Sequence, residues 1–177
     1  MIWTSEIFTT PPAVFRTPLE REVYAALERL DIPFERIDND PAVTMDDCAA
    51  IDAALHVQTV KTLLLCNRQQ TCFYLYVTPG DKPFVTKDFG AALGISRVSF
   101  APEAALHERL GTVLGATTVF SCLTAAPDAF RLVMDRSVAE SEWYGCTDGT
   151  TTCYMRLRTA DLLERLLPQT PFVPTII

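Results

Sequence analysis

Lys61 and a later glycine turn are the parts of this sequence best suited to chemistry. Lys61 opens the apolar segment Thr62–Cys66, and the turn runs from Gly115 to Thr118. The lysine supplies a point charge, and backbone N–H groups of a turn can stabilise a developing oxyanion without a side-chain catalyst. We therefore predict that Lys61 and the turn face one cavity and together hold an anion or a polarised carbonyl.

Other catalytic sets lack the residues that they need. The two histidines, His56 and His107, lie on a predicted helix or at its end with no evident partner, and the chain contains no glycine-rich phosphate loop and no His-Glu-x-x-His motif. The six cysteines form no Cys-x-x-Cys pair, so we expect reduced thiols that pack as small apolar side chains. We predict no metal and no cofactor.

Composition limits the partners and the location. The chain has 177 residues with 49% hydrophobic content, which suits a single domain with its own core. A net charge of -7 with only 15 Lys and Arg argues against coating of a DNA duplex, although a local contact with RNA is permitted. Neither a leader segment nor a long apolar run is evident, so we expect a cytoplasmic protein with no membrane partner.

Local signals define most of the elements. Thr17–Glu20 predicts a capping box at the start of a helix, and Thr44–Asp47 predicts a second helix that runs to Leu55. Further helices are predicted at Lys87–Leu93, Pro102–Leu110 and Ala160–Leu167. Strands are predicted at Ile32–Ile37, Val60–Cys66, Cys72–Val77, Ser96–Phe100, Phe130–Asp135, Trp143–Cys146 and Thr151–Leu157.

The uneven order of these elements predicts an α/β (α+β) fold. Hairpins occur at both ends of the element order, so we expect a mixed, largely antiparallel sheet wrapped by helices. Residues 1–16 are interpreted as an N-terminal arm laid over the domain, where truncation is tolerated better than elsewhere. Residues 17–177 are interpreted as one domain.

Several short segments follow one another in an order that is typical of one protein family. They are Ile32–Arg36, Pro41–Thr44, Val60–Leu65, Leu93–Ala101, Leu110–Gly111 and Gly115. Together they resemble the YbaK/ProX superfamily of aminoacyl-tRNA editing domains, in particular the free-standing prolyl-tRNA editing proteins related to the editing domain of bacterial prolyl-tRNA synthetase. The resemblance covers residues 17–167.

The resemblance assigns roles to individual positions. Lys61 matches the lysine of the family's Lys-Asn pair, with Thr62 in place of the asparagine. Gly115 matches the glycine of the family's Gly-x-x-x-Pro loop, with Val119 in place of the proline. Gly145 stands where the family has a pocket histidine, and we expect this exchange to enlarge the pocket or to open it to water.

The resemblance also implies an activity, namely hydrolysis of the ester of a mischarged tRNA such as Ala-tRNA(Pro). Family members rely on the terminal ribose 2'-hydroxyl of the substrate to activate water, which suits a site without a general base. The predicted catalytic residues are Lys61, Gly115 and Thr118. The predicted substrate-binding residues are Thr62, Thr44, Val43, Phe100, Ala116, Thr117 and Gly145. The implied partners are the acceptor end of a mischarged tRNA and prolyl-tRNA synthetase.

Two other functions fit parts of the sequence. A non-catalytic module with an editing-like fold would bind aminoacylated tRNA or a synthetase, and the exchanges at Thr62, Val119 and Gly145 favour it. A hydrolase with a cysteine nucleophile would need an imidazole near a thiol, which the sequence does not indicate. Retention of Lys61 and Gly115 favours the editing deacylase.

Overall fold

The strands of the computed structural model, which describes residues 2–42 and 44–177, form two sheets. The strands are β1 (Phe34–Asp38), β2 (Val60–Cys66), β3 (Phe73–Pro79), β4 (Ser99–Phe100), β5 (Arg131–Met134), β6 (Trp143–Thr147), β7 (Cys153–Arg158) and β8 (Thr175–Ile176). One sheet is antiparallel with the order β1-β7-β6, and the other has the order β4-β2-β3-β5-β8 with parallel pairs at β3–β5 and β5–β8. The predicted α/β class is confirmed, but the strands are divided between two sheets.

Helices and helical turns cover these sheets. They are α1 (Pro18–Arg29), α2 (Met45–Leu55), α3 (Thr86–Leu93), α4 (Glu103–Ala105), α5 (Arg136–Ala139) and α6 (Thr159–Asp161). The α4 and α6 helices continue as π-helical turns at Leu106–Leu110 and Leu162–Leu166, and 3-10 turns lie at Val119–Leu123 and Leu167–Gln169. No helix in the described part of the chain is long and apolar enough to cross a bilayer.

Side-chain alternation along β2 divides the core. Leu64 and Cys66 belong to the main core, which α1 and the inner faces of both sheets share. Leu65 points to the other face, where it packs with Phe89 of α3 in a second cluster. Successive strand residues point to opposite faces, so β2 lines two separate apolar layers.

Two predicted helix ends agree with the structure, and a third differs from it in an informative way. Thr44 and Asp47 form the complete predicted capping box, and Gly94 ends α3 in the left-handed region with φ 65°. At α1, Thr17 Oγ1 accepts a hydrogen bond from Glu20 N at 3.0 Å, but the Glu20 carboxylate accepts from the backbone N–H of Arg16 rather than from that of Thr17. The side chain of Glu20 is therefore drawn away from the ordinary capping geometry.

Both chain ends add to sheet edges. The N-terminal arm runs antiparallel to β1, where the backbones of Phe8 and Arg36 exchange two hydrogen bonds of 2.8 Å. The sequence did not indicate β8, which pairs with β5 and is followed by a bond from Ile177 N to Met134 O at 3.0 Å. The division between arm and domain at residue 16 stays a prediction.

Candidate active site

Lys61 and Thr62 point to opposite faces of β2. Lys61 shares its face with Leu65, which packs beneath α3. Thr62 shares its face with Leu64 of the main core. The Lys61 ammonium donates a hydrogen bond to the carbonyl oxygen of Lys82, in the loop between β3 and α3.

The turn that begins at Gly115 belongs to the main-core side. Thr118 is fully buried, and its hydroxyl donates to the carbonyl of Thr147 at 2.9 Å. Thr118 also precedes the 3-10 turn as its N-cap, and Val119, the first residue of that turn, lies in the main core. The Thr118 hydroxyl therefore holds the turn against the end of β6.

The side chain of Lys61 therefore lies on the face of β2 that carries Leu65, whereas Val119, which follows the turn, packs in the main core with Leu64. That Lys61 and the turn face one cavity stays a prediction. The contacts that the structure does show at the turn come from other residues.

The turn has unused backbone donors at the surface. Ala116 N donates to Val113 O at 3.0 Å and closes the turn. Among the described residues, the N–H groups of Gly115 and Thr117 have no acceptor. Gly115 is exposed with φ +85°, and Thr117 is half-buried. Within the part of the chain that the structure describes, two N–H groups of one turn are therefore open to an oxyanion.

Thr151 connects the turn to the start of α2. A Cβ at Gly115 would lie 3.6 Å from Thr151 Cγ2. The carbonyl of Thr151 accepts hydrogen bonds from Ala42 N at 3.2 Å and Asn39 Nδ2 at 3.1 Å. Because Ala42 lies two residues before Thr44, the predicted residues Thr44, Gly115 and Thr117 lie at the same end of the molecule. Val43 falls outside the described residues.

Exposed apolar side chains lie at this end. Val113 and Leu114 immediately precede Gly115 and are 61% and 72% exposed, and Met45, the first residue of α2, is 68% exposed. Ala116, by contrast, is fully buried beneath the turn. Large exposed apolar residues beside free N–H groups indicate a binding surface rather than an ordinary loop.

The space beside Gly145 is already filled. A Cβ at Gly145 would lie 2.7 Å from Val57 Cγ1 and 3.4 Å from the carbonyl oxygen of Gln58. The glycine allows Thr59 to pair with β6 through a parallel bridge at Gly145. The predicted enlargement of the pocket at Gly145 is therefore wrong, since Val57 occupies the position.

Tyr144 is a polar residue that the sequence did not single out. It is fully buried in the main core, and its hydroxyl has no hydrogen-bond partner among the described residues. The Thr62 side chain is its polar neighbour, at a geometry looser than a hydrogen bond. Burial raises the pKa of Tyr144 well above its ordinary value, so the side chain remains a neutral donor.

Phe100 lies away from the turn. It is on the short edge strand β4, opposite Leu65 of β2, and it is 62% exposed. Its ring lies 5.7 Å from that of Phe84 in an edge-to-face arrangement. Phe100 thus extends the α3 side of the sheet, the side that carries Lys61.

The thiols do not form a nucleophilic site. All six cysteines are unpaired, and burial raises the pKa values of Cys122, Cys146 and Cys153, which keeps these thiols protonated. Both histidines are exposed. The described residues contain no cluster of side chains able to hold a metal ion.

Comparison with known proteins identifies the family. Residues 39–164 match the model of the aminoacyl-tRNA editing domain, and the protein belongs to that family. A curated relative, the prolyl-tRNA editing protein ProX of Acetoanaerobium sticklandii, is 28% identical over 119 residues, which cover 67% of this chain and 73% of the relative. The resemblance inferred from the motifs is thereby confirmed.

Solved structures share the fold at low identity. A candidate trans-editing enzyme for prolyl-tRNA synthetase has a TM-score of 0.61 at 18% identity, with 90% of this chain and 98% of that chain covered. A protein solved without an assigned function has a TM-score of 0.66 at 19% identity, with 86% and 97% covered. These similarities concern the fold.

Proposed function

We propose that this protein is a trans-editing deacylase that hydrolyses the ester of a mischarged tRNA, Ala-tRNA(Pro) or a similar small aminoacyl-tRNA. Membership of the aminoacyl-tRNA editing family supports this proposal, as does the likeness to a prolyl-tRNA editing protein. The observation that carries it is the surface turn in which the N–H groups of Gly115 and Thr117 have no acceptor among the described residues.

The turn would act on the tetrahedral intermediate. Water adds to the ester carbonyl carbon, and the carbonyl oxygen becomes an oxyanion that the two N–H groups bind. The bond to the ribose oxygen then breaks, that oxygen takes up a proton, and the free amino acid leaves the intact tRNA. The 2'-hydroxyl of the substrate assists the attacking water. One lost oxyanion donor costs about 100- to 1000-fold in rate.

Size exclusion would provide the specificity. Val57 fills the space beside Gly145, and Ala116 and Thr118 are buried against the core, so this side of the site has little room for a bulky side chain. A site that admits alanine and rejects proline supplies the second sieve that binding discrimination alone cannot give. Prolyl-tRNA synthetase is the partner that would release such a mischarged product.

A panel of charged tRNAs tests the proposal. We expect the purified protein to deacylate Ala-tRNA(Pro) well above the spontaneous rate, and Pro-tRNA(Pro) at least about tenfold more slowly, as expected from discrimination by size. Ser- and Cys-tRNA(Pro) measure how small the accepted side chain must be. Decay of every member at the spontaneous rate would contradict the proposal.

A non-catalytic binding module is the second candidate. The bond from the Lys61 ammonium to the carbonyl of Lys82 favours it, because it directs the charge toward the loop before α3 rather than toward an ester. Such a module would retain affinity for Ala-tRNA(Pro) in a filter-binding assay while leaving the ester intact in a single-turnover experiment. Hydrolysis at saturating protein would exclude it.

Lys61→Ala is expected to weaken tRNA binding without abolishing chemistry. The Lys61 ammonium is held by a single carbonyl, so it is available to contact a phosphate of the acceptor end rather than the reacting ester. Loss of one phosphate contact lowers the slope of log K against log salt by about 0.7 for a single strand. We expect KM to rise several-fold, while the rate of the chemical step at saturating tRNA stays close to that of wild type.

The matched control for Lys61 is Lys87→Ala, which removes an exposed lysine from the first turn of α3 on the same side of the sheet. Lys87→Ala should leave KM unchanged if Lys61 makes a specific contact. A single-turnover rate that falls about 100-fold in Lys61→Ala, as for a lost oxyanion donor, would instead place Lys61 at the ester.

A further inference from the structure

Two carboxyl groups are buried together beneath the turn between β6 and β7. Glu20 of α1 and Asp148 of that turn are both fully buried. Tyr24, one helical turn after Glu20, bonds to Asp148 through its hydroxyl, so Asp148 lies against the face of α1 that carries Glu20. Neither carboxyl group takes part in the chemical step proposed above. Two adjacent buried carboxyl groups are costly if both ionise, so the arrangement requires an explanation.

Asp148 accepts hydrogen bonds through both of its carboxyl oxygens. Its Oδ2 accepts a hydrogen bond from the hydroxyl of Tyr24 at 2.8 Å. Its Oδ1 accepts from the backbone N–H of Thr150 at 3.1 Å and from the hydroxyl of Thr150 at 2.8 Å. Three donors therefore satisfy the two oxygens of Asp148.

Glu20 has the surroundings of a protonated carboxylic acid. Its Oε2 accepts from the N–H of Arg16, but its buried Oε1 has no donor among the described residues. Burial and the neighbouring Asp148 raise the pKa of Glu20, against a smaller lowering by the Arg16 bond and charge. Two adjacent buried carboxylates cannot both ionise at low cost.

We propose that Glu20 and Asp148 share one proton in the folded protein, and that this carboxyl pair positions the turn at residues 115–118. Glu20 carries the proton on Oε1, the oxygen that has no other partner among the described residues, and donates a hydrogen bond from it to Asp148. The activity readout of this inference rests on the proposed function, whereas its titration readout does not.

The contacts lead from the pair to the turn. Gly149, next to Asp148, has φ +101°, and a Cβ there would lie 3.1 Å from Leu19 Cδ2 and 3.8 Å from Thr118 Cγ2. The carbonyl of Thr147, on the other side of Asp148, accepts the Thr118 hydroxyl. Repulsion between Glu20 and Asp148 would therefore move the segment that holds Thr118 in place.

Other titratable and charged groups surround the pair. They are Arg16 on the arm, Tyr24 on α1, Arg36 and Asp38 on β1, Cys146 on β6, and Cys153 and Tyr154 on β7. Arg16 Nη1 donates to the hydroxyl of Thr152, and Arg36 pairs with Asp38 at 2.9 Å. Burial raises the pKa values of Tyr24 and the two thiols, so none of these three titrates near neutrality.

The raised pKa of Glu20 fixes the sign of the pH effect. Folding favours the protonated form, so the stabilisation is fully present below the unfolded-state pKa of glutamate and is lost as the pH rises through the folded-state pKa. Over that window the unfolding equilibrium constant rises by up to about tenfold per pH unit for one proton. The contribution of Glu20 to the free energy of unfolding should therefore decrease as the pH rises.

Glu20→Gln tests the proposal. The glutamine amide can donate to Asp148 and accept from Arg16 N without titrating, so the variant should fold, and its pH dependence of unfolding should lack the contribution of one proton. Glu22→Gln is the matched control, because Glu22 is an exposed glutamate on the same helix. It should keep the wild-type pH dependence. Urea unfolding across the acidic to neutral pH range supplies the measurement.

Carboxyl-detected NMR provides the direct readout. We expect one glutamate signal, absent from Glu20→Gln, to titrate well above the other glutamates. Deacylation by Glu20→Gln should match wild type at low pH and exceed it at high pH. A Glu20 signal that titrates with the exposed glutamates overturns the proposal. The same holds if the free energy of unfolding of Glu20→Gln depends on pH as steeply as that of wild type. Because the NMR titration does not require deacylase activity, failure of the proposed function is separately visible.

Discussion

Gly115→Ala is expected to lower deacylation of Ala-tRNA(Pro) about 100-fold while the protein stays folded. Gly115 has φ +85°, where an L-residue is strained, although a Cβ would meet Thr151 Cγ2 at an ordinary 3.6 Å. Relief of the strain turns the peptide and moves the free N–H groups of Gly115 and Thr117 away from the oxyanion. Single-turnover deacylation at saturating protein measures the loss directly.

The control for this prediction is Gly94→Ala, which introduces the same kind of backbone strain at a position away from the candidate site. Gly94 ends α3 with φ +65°, and no atom lies within 4 Å of a Cβ placed there. Gly94→Ala should cost a similar ~1–2 kcal/mol of stability. Its deacylation rate should stay close to that of wild type. Equal rates for Gly115→Ala and wild type would show that the turn does not bind the oxyanion.

Gly145→Ala is expected to lower the free energy of unfolding by about 2–3 kcal/mol. Its Cβ would lie 2.7 Å from Val57 Cγ1, 3.2 Å from Val57 Cγ2 and 3.4 Å from the carbonyl oxygen of Gln58. A contact this short requires a shift of Val57 or of the backbone that bridges Thr59 to Gly145. Urea denaturation at fixed pH measures the change.

A double-mutant cycle separates overpacking from other causes. Val57→Ala removes both methyl groups that Gly145→Ala would meet, so the double variant should be more stable than the sum of the single effects predicts. The coupling should exceed about 1 kcal/mol, as found for residues in direct contact. Additive effects would mean that space is open beside Gly145, as the sequence-based interpretation expected.

Local rules determined most of the elements of this protein. The capping box at Thr44–Asp47 and the left-handed glycine at Gly94 each depend on a few neighbouring residues. The bounds of β2, Val60–Cys66, agree with the sequence because an apolar run between polar turns is a sufficient signal. The motifs in their order were also enough to indicate the family.

The positions of the site residues depended on contacts between distant segments. Alternation along a strand places Lys61 and Thr62 on opposite faces, but only packing decides which face meets the turn at Gly115. In the same way, Val57 approaches Gly145 because the segment after α2 pairs with β6 through a parallel bridge at Gly145. Neither contact leaves a signal in the sequence near the residue that it affects.

Glu20 shows most clearly the difference between local sequence signals and contacts formed by folding. Its sequence neighbours predict a capping residue, and its backbone N–H does bond to Thr17. Its side chain instead lies beside Asp148, which the sequence indicated only as part of a hairpin turn. The sequence therefore determined where the helices and strands begin and end, because those signals act over a few residues. Only the tertiary structure decided which charges, donors and cavities meet, because burial and charge pairing depend on neighbours that folding brings from far along the chain.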